Sequence, residues 1–127
     1  MCKDLRIEIP LLPPPECNPN WKGHRMAKAE AVRQFRQDAF LCMVSERNRL
    51  RNFQAFDRCS IDVTFHVPDL RYIMDDDNAR ATLKPVQDAL VDAEIINKND
   101  RGVKVRSIGF IPYSDMAPAI VLEIHAL

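Results

Sequence analysis

The segment Ser60-Ile61-Asp62-Val63-Thr64-Phe65-His66-Val67 decides the fold of this chain. Its odd-numbered residues are all apolar and its even-numbered residues are all polar, which is the alternation of a β-strand with one buried face. Pro68 follows at once, and proline cannot donate a backbone hydrogen bond to a neighbouring strand. The sequence therefore predicts a central strand over residues 60–67 that ends at Pro68.

Helical periodicity flanks this strand on both sides. From Ala29 to about Arg51, apolar residues recur mostly at intervals of three and four, which predicts one amphipathic helix. From about Asn78 to Ala93 the apolar intervals are 4, 3, 4 and 3, which predicts a second helix. Pro85 interrupts the second pattern. Because proline removes one helical hydrogen bond and clashes with the preceding turn, we expect a kink there or a later helix start.

Further strands complete the predicted sheet. Residues 5–9 alternate apolar and charged side chains and predict a first strand, which ends at the proline-rich segment 10–15. Residues 103–111 and 119–126 are predicted as two closing strands joined by a turn, and residues 70–74 as an extended connection. The element order β-α-β-α-β-β predicts an α+β fold, with a small mixed β-sheet and two packed helices.

Length and composition limit the class of protein. The chain has 127 residues, of which 46% are hydrophobic and 28% charged, with 3 Gly and 9 Pro, so disordered and fibrous classes are excluded. We expect a single domain over residues 1–127. The longest apolar run is the six residues 39–44, far short of the roughly 20 that cross a bilayer. Since no signal-like apolar stretch lies near the amino terminus, we expect a cytoplasmic protein with no membrane partner.

Charge is unevenly distributed although the formal net charge is zero. Residues 22–58 carry nine Lys or Arg against four Asp or Glu, a local net charge of +5, whereas residues 59–127 carry seven against eleven, a net charge of −4. A basic half beside an acidic half is typical of a nucleic-acid surface next to a cation-binding cluster. A salt-bridged, solvated surface is the alternative, and the charges alone leave both open.

Three consecutive acids, Asp75, Asp76 and Asp77, precede the second predicted helix. Like charges this close destabilise one another unless a cation or a helix N-terminus compensates them. One interpretation is helix capping, with Asp77 or Asn78 as the N-cap residue. A cap needs one acid and this turn has three, so Asp75 and Asp77 could instead face one hard cation. Spacing leaves metal binding and capping equally open.

Two more charged residues follow this turn. Lys84 falls on the same predicted helix face as Asp77 and could approach a phosphate there, but an ion pair with Asp88 at i, i+4 is the alternative. Asp100 precedes the predicted strand 103–111 and could complete a metal site from a different element, or serve only as a turn residue.

Motifs spread over most of the chain, from Ile7 to about Ile111, carry a family resemblance. They are Ile9-Pro10-Leu11, Pro13-Pro14-Pro15, Asn18-Pro19-Asn20-Trp21, Asp75-x-Asp77-Asn78, Lys84 with Asp88-Ala89-Leu90, and Asn99-Asp100. Together they resemble the RusA-like Holliday junction resolvases, small endodeoxyribonucleases common in phages and prophages. The most specific part is D-x-D-N, followed by a helix with D-A-L and then an acidic pair.

The resemblance implies a Mg²⁺-dependent endonuclease, with Mn²⁺ as a substitute, that resolves four-way DNA junctions as a homodimer. The catalytic residues it implies are Asp75, Asp77, Lys84 and Asp100, of which the three aspartates hold the metal. Asp76 stays open as the ligand in place of Asp75. Where the family has an Asp-Asp pair this chain has Lys98-Asn99-Asp100, with one extra residue before it. The stretch from Asn78 to Asp88 also looks one helical turn longer than in the shorter family members.

DNA contacts are expected from basic residues, because phosphate binding needs positive charge. The expected contact residues are Lys22, Arg25, Lys28, Arg33, Arg36, Arg71 and Arg80. Three functions remain in contention: a junction-resolving endonuclease of a bacterium, phage or prophage, a junction-binding protein with impaired nuclease activity, and a cation-stabilised structural domain. Lys98 and Asn99 favour the second, and the zero net charge favours the third.

Overall fold

The computed structural model describes residues 4–97 and 102–127. Within these residues the chain forms four β-strands and three α-helices, with single 3₁₀ turns at Pro15–Cys17 and Leu70–Tyr72. The strands are β1 (Asp4–Ile9), β2 (Cys59–Val67), β3 (Val103–Pro112) and β4 (Ala119–Ala126). The helices are α1 (Arg25–Arg49), α2 (Asp76–Thr82) and α3 (Lys84–Asp92).

The strands form one mixed sheet in the order β1-β4-β2-β3. β4 is antiparallel to both β1 and β2, whereas β3 is parallel to β2. The parallel pair is joined through α2 and α3, since parallel neighbours need a long crossover connection. This arrangement confirms the predicted α+β fold with a small mixed sheet.

The second predicted helix is divided into α2 and α3 at Leu83. Pro85 lies in the first turn of α3, where its missing N–H would have no helical partner in any case. The expected interruption near Pro85 is therefore confirmed. The break also removes the continuous helix on which the shared face of Asp77 and Lys84 depended.

The connection after β2 differs from its prediction. Residues 70–74 were expected to be extended, but Leu70–Tyr72 form a 3₁₀ turn. Asp69 stabilises the turn, because its Oδ1 accepts a hydrogen bond from the backbone N–H of Arg71 at 2.9 Å. The prediction of an extended segment is therefore wrong at residues 70–72. The hydrogen bond to the Asp69 side chain stabilises the turn, and the spacing of apolar residues does not reveal such a bond.

One face of the sheet carries the hydrophobic core. Ile7 in β1, Phe65 in β2 and Leu122 in β4 are each buried, and Phe110 of β3 stacks on Phe65 with 4.8 Å between ring centroids. The helices cover this face with Phe35, Ala39 and Met43 from α1 and Val86, Ala89 and Leu90 from α3. Among the described residues, none of the helices has the length and apolar character needed to cross a bilayer.

The opposite side of the sheet, called here the polar face, is formed by the alternate residues of each strand. Its members include Arg6 and Glu8 of β1, Asp62 of β2, and Glu123 and His125 of β4. A β-bulge interrupts the pairing of β2 with β3, since Ile61 lies opposite Val105 but Asp62 lies opposite Ser107. The extra residue, Arg106, therefore belongs to the edge strand β3.

Candidate functional site

Asp75, the first residue of the candidate site, is the N-cap of α2. Its backbone is extended, with φ −67° and ψ 164°, and its Oδ1 accepts a hydrogen bond from the backbone N–H of Asn78 at 2.9 Å. The side-chain amide of Asn78 donates to Oδ2 at 3.3 Å. The capping residue is thus Asp75 rather than Asp77 or Asn78, because the helix begins at Asp76, two or three residues earlier than expected.

The other two acids of the carboxylate turn, Asp75–Asp77, have different surroundings. Asp76 accepts a hydrogen bond from Arg80 Nε at 2.7 Å, and Nη1 of the same arginine donates to the Val105 carbonyl at 2.9 Å. Asp76 therefore helps to fasten α2 to β3. Asp77 is exposed, and within the described residues no hydrogen bond or ion pair involves its carboxylate. One acid caps, one forms an ion pair, and the third faces solvent.

Lys84 is the first residue of α3 and is exposed. Its Nζ lies 3.1 Å from Asp88 Oδ1, which is the i, i+4 ion pair that the sequence left open as an alternative. Asp88 Oδ2 lies 3.8 Å from Arg36 Nη1, and Arg36 binds Asp92 through both Nε and Nη2, at 2.6 and 2.8 Å. Lys84 thus belongs to a network of charges that joins α3 to α1.

The predicted third ligand, Asp100, lies outside the described residues, as do Lys98 and Asn99. In the ranges 4–97 and 102–127, no three side chains of His, Cys, Asp or Glu are grouped so as to hold a metal ion. Of the three expected metal ligands, the structure describes Asp75 and Asp77, two exposed carboxylates on one turn. Carboxylate oxygens are the hard ligands that Mg²⁺ prefers, so the chemistry of these two residues fits that cation.

Four of the seven basic residues expected to contact DNA are engaged with carboxylates. Arg33 Nε is 3.1 Å from Glu30, Arg71 binds Asp69, Arg80 binds Asp76 and Arg36 binds Asp92. The hydrogen bond from Arg36 lowers the pKa of Asp92, as that from Arg71 lowers the pKa of Asp69. Along the middle of α1 the charges therefore agree with the alternative of a salt-bridged surface.

The other three basic residues gather at the amino-terminal end of α1. Lys22 and Arg25 are exposed, and Lys28 is half-buried with its Nζ 3.4 Å from the Asn18 carbonyl. Among the described residues none of these three forms an ion pair. The first turn of α1 contains no acid, and a helix N-terminus is itself the positive end of the helix dipole. This end of α1 is therefore a site of positive potential.

A polar cluster on the polar face was not expected from the sequence. Arg106 donates to Asp62 through Nε, at 3.0 Å, and through Nη2, and Ser107 Oγ donates to Asp62 Oδ1 at 2.7 Å. His125 lies between two acids, with Nε2 3.4 Å from Asp62 and Nδ1 2.9 Å from Asp4. The alternation of residues 60–67 placed Asp62 away from the core, but its partners depend on the strand order, which the pattern does not contain.

Comparison of the chain with protein-family models and with curated proteins finds no match in either set.

Proposed function

We propose that the chain is a Mg²⁺-dependent endonuclease that cuts branched DNA, with the four-way junction as substrate. The observation that carries the proposal is the carboxylate turn. Asp75 caps α2 and Asp76 pairs with Arg80, so the exposed Asp77 takes part in neither interaction. Asp75, Asp77 and Asp100 would hold Mg²⁺, with Mn²⁺ as a substitute. The D-x-D-N, D-A-L and acidic motifs of the RusA-like resolvases support the same interpretation.

The residues around the turn have distinct proposed roles. When bound, the cation supplies Lewis acidity toward the scissile phosphate and the attacking water. Lys84 stabilises the negative charge that develops on the phosphate during in-line displacement. Asp88, 3.1 Å from Lys84, limits the positions that the ammonium group can take.

DNA binding is assigned first to the amino-terminal end of α1. Lys22, Arg25 and Lys28 combine fixed positive charge with the helix dipole, and phosphate oxygens are suitable partners for both. Arg33, Arg36, Arg71 and Arg80 would have to exchange a carboxylate for a phosphate. A homodimer would present two such ends to a two-fold symmetric junction in the cytoplasm of a bacterium.

A junction-binding protein with impaired nuclease activity is the second candidate. It is favoured by Lys98 and Asn99, which stand where the resembled family has acids. It is also favoured by Asp75, whose two carboxylate oxygens already accept hydrogen bonds from Asn78.

Cleavage of a labelled four-way junction tests the proposal. The wild-type chain should cut in Mg²⁺, whereas Asp77→Asn should lose cleavage and keep binding, because the variant removes a ligand without touching the basic surface. Asp115→Asn, an exposed acid in the turn before β4, is the matched control and should cut normally. A gel shift without cleavage in the wild type would select the second candidate, and the absence of both would overturn the two together.

Asp75→Asn separates the two roles of the capping residue. Asparagine is as good an N-cap as aspartate, so the free energy of unfolding should change by less than about 0.5 kcal/mol while cleavage is lost. Asp75→Ala should lose cleavage and also about 1 kcal/mol of stability.

Asp100→Asn should lose cleavage as completely as Asp77→Asn, since members of one coordination shell act as a unit. Equal Mg²⁺ affinity of wild type and Asp100→Asn in calorimetry would show that Asp100 is only a turn residue.

A further inference from the structure

A cavity of about 490 Å³ lies between the amino-terminal half of α1 and Asp88 of α3. Its α1 side includes Arg25, Lys28, Ala29 and Val32, which recur at the three- and four-residue intervals of one helix face. The volume is within the range of pockets that enclose small organic ligands. A single nucleotide is a ligand of that size.

The two ends of the cavity differ in charge. Arg25 and Lys28 stand at the amino-terminal end, and in the part of the chain that the structure describes neither forms an ion pair. At the other end Arg36 lies 3.8 Å from Asp88 and also binds Asp92, so carboxylates neutralise its charge. An anionic group is therefore attracted to the amino-terminal end of the cavity.

The surface between these ends is largely apolar. Ala29 is exposed and Val32 is half-buried. Lys28 and Arg33 also line the cavity, and the stems of such side chains are hydrocarbon although their ends are charged. A base that has left a duplex is typically held between apolar or aromatic side chains. The cavity thus combines a site for a phosphate with a surface for the flat face of a base.

The cavity also borders Lys84. Asp88 lines the cavity, and its Oδ1 lies 3.1 Å from Lys84 Nζ. Under the proposed function, Lys84 contacts the phosphate that is cut, and Arg25 and Lys28 contact a phosphate elsewhere on the DNA. A strand that joins these two phosphates passes over the cavity.

We propose that this cavity binds one unpaired nucleotide of the strand that is cut, with its phosphate at Arg25 and Lys28 and its base against Ala29 and Val32. The inference rests on the proposed function, from which it takes DNA as the ligand. A base within a duplex cannot enter, because it is paired at its edge and stacked on both faces. Leaving the stack is easiest where pairing is already interrupted, as at a branch point. The cavity therefore favours branched DNA over linear duplex DNA.

Filling the cavity tests the proposal. Ala29→Leu adds volume inside the cavity and changes no charge. Because Ala29 is exposed and leucine is a good helix former, the fold should be kept, as circular dichroism would verify. Ala27→Leu is the matched control, since Ala27 is exposed on the same helix, and residues two positions apart do not share a helix face.

The first probe is a four-way junction with 2-aminopurine at the branch point, whose fluorescence rises when this base leaves the stack. All binding is measured in EDTA, so that no DNA is cut. The wild type and Ala27→Leu should raise the fluorescence equally at saturation, whereas the rise with Ala29→Leu should be about fivefold smaller. The Kd of Ala29→Leu for the junction should change by less than about threefold, because phosphate contacts dominate affinity.

The second probe is a labelled single-stranded oligothymidine, compared by fluorescence anisotropy with a duplex of the same length. Ala29→Leu should bind the single strand about fivefold more weakly than the wild type does and the duplex equally well. Equal effects of Ala27→Leu and Ala29→Leu would overturn the proposal, as would a wild type that leaves the 2-aminopurine fluorescence unchanged. Binding of poly-glutamate that Ala29→Leu weakens to the same extent would also overturn it, by assigning the cavity to an acidic protein segment.

The failure of this inference can be told apart from that of the nuclease proposal. A wild type that cuts the junction in Mg²⁺ but does not unstack the branch-point base would overturn the nucleotide site alone. A wild type that unstacks the base in EDTA and does not cut in Mg²⁺ would support the site and overturn the nuclease proposal.

Discussion

Asp62 is the residue whose environment depends most on the assembled sheet. Its own strand, β2, supplies no partner, and its hydrogen bonds come from Arg106 and Ser107 of β3. The hydrogen bond from Arg106 is the main cause that lowers the pKa of Asp62 from its ordinary 3.8 to about 2, and that from Ser107 is the next. A carboxyl group with a lowered pKa stabilises the folded state only while it is ionised.

Asp62→Asn should therefore destabilise the protein in a pH-dependent way. At pH 7 the free energy of unfolding should fall by about 1–2 kcal/mol, a value reduced from the full pKa difference because the cluster is partly solvated. The contribution is complete above the unfolded pKa near 3.8 and disappears as the pH falls through the folded pKa near 2. Urea denaturation at pH 7, 4 and 2.5 should show the wild type and the variant converging at low pH. Glu123→Gln, also on the polar face, should differ little from the wild type at each pH.

The roles of single residues in the carboxylate turn could be predicted only in part. Three adjacent acids before a helical pattern indicated a capping or cation site, and the structure assigns the cap to Asp75. That Asp76 would bind Arg80 follows from the i, i+4 spacing on one helix. That the same Arg80 would also reach the Val105 carbonyl does not follow, because a contact with β3 depends on the tertiary fold.

At the scale of elements, the amino-terminal end and the middle of α1 differ in electrostatics, because carboxylates neutralise the basic side chains of the middle only. Its amino-terminal end, capped by His24, carries Arg25 without an acid in the first turn. Its middle carries Arg36, which binds Asp92 of α3. The sequence showed the excess of basic residues over 22–58, but it could not show that Asp88 and Asp92 from the acidic half would pack beside them.

This difference predicts which substitutions weaken DNA binding. Arg25→Gln should weaken junction binding several-fold and reduce the slope of log K against log salt by about 1, because one phosphate contact is lost. Arg36→Gln should weaken binding less, since its guanidinium is committed to Asp92. Fluorescence anisotropy with a labelled junction, measured at several salt concentrations, makes the comparison. A larger effect of Arg36→Gln would show that α1 binds DNA along its middle.

Element positions followed well from local periodicity, and element pairing did not. The period of two placed β2 at 60–67, and the structure has Cys59–Val67. The helical interval predicted α1 from 29 to 51, whereas the helix begins at Arg25, because His24 Nδ1 accepts from the Met26 N–H and caps it earlier. The order β1-β4-β2-β3 has no signature in the spacing of apolar residues, since any half-buried strand shows the same alternation.

For the molecule as a whole, β4 is the strand that holds the sheet together. It lies between β1 and β2, and Leu122 pairs with Ile7 on one side and with Val63 on the other. Leu122 is 1% exposed. Leu122→Ala should lower the free energy of unfolding by about 2–5 kcal/mol, because it leaves a cavity in the hydrophobic core beside Ile7 and Val63.

The neighbouring residue supplies a matched control for that prediction. Glu123 points to the polar face and is exposed, so Glu123→Ala should change the free energy of unfolding by less than about 0.5 kcal/mol. Both values come from urea denaturation followed by circular dichroism. Comparable losses in the two variants would contradict the central role of the buried face of β4.

The position of β4 also bears on how the chain is made. Synthesis delivers β1 first and β4 last among the four strands, yet β1 has no other neighbour in the sheet. A nascent chain on the ribosome therefore has to keep the apolar side of β1 from misassociating until residues 119–126 have cleared the exit tunnel. Partly made sheets of this kind are the species that aggregate and that chaperones bind. Slow translation through the turn before β4 would prolong that exposure.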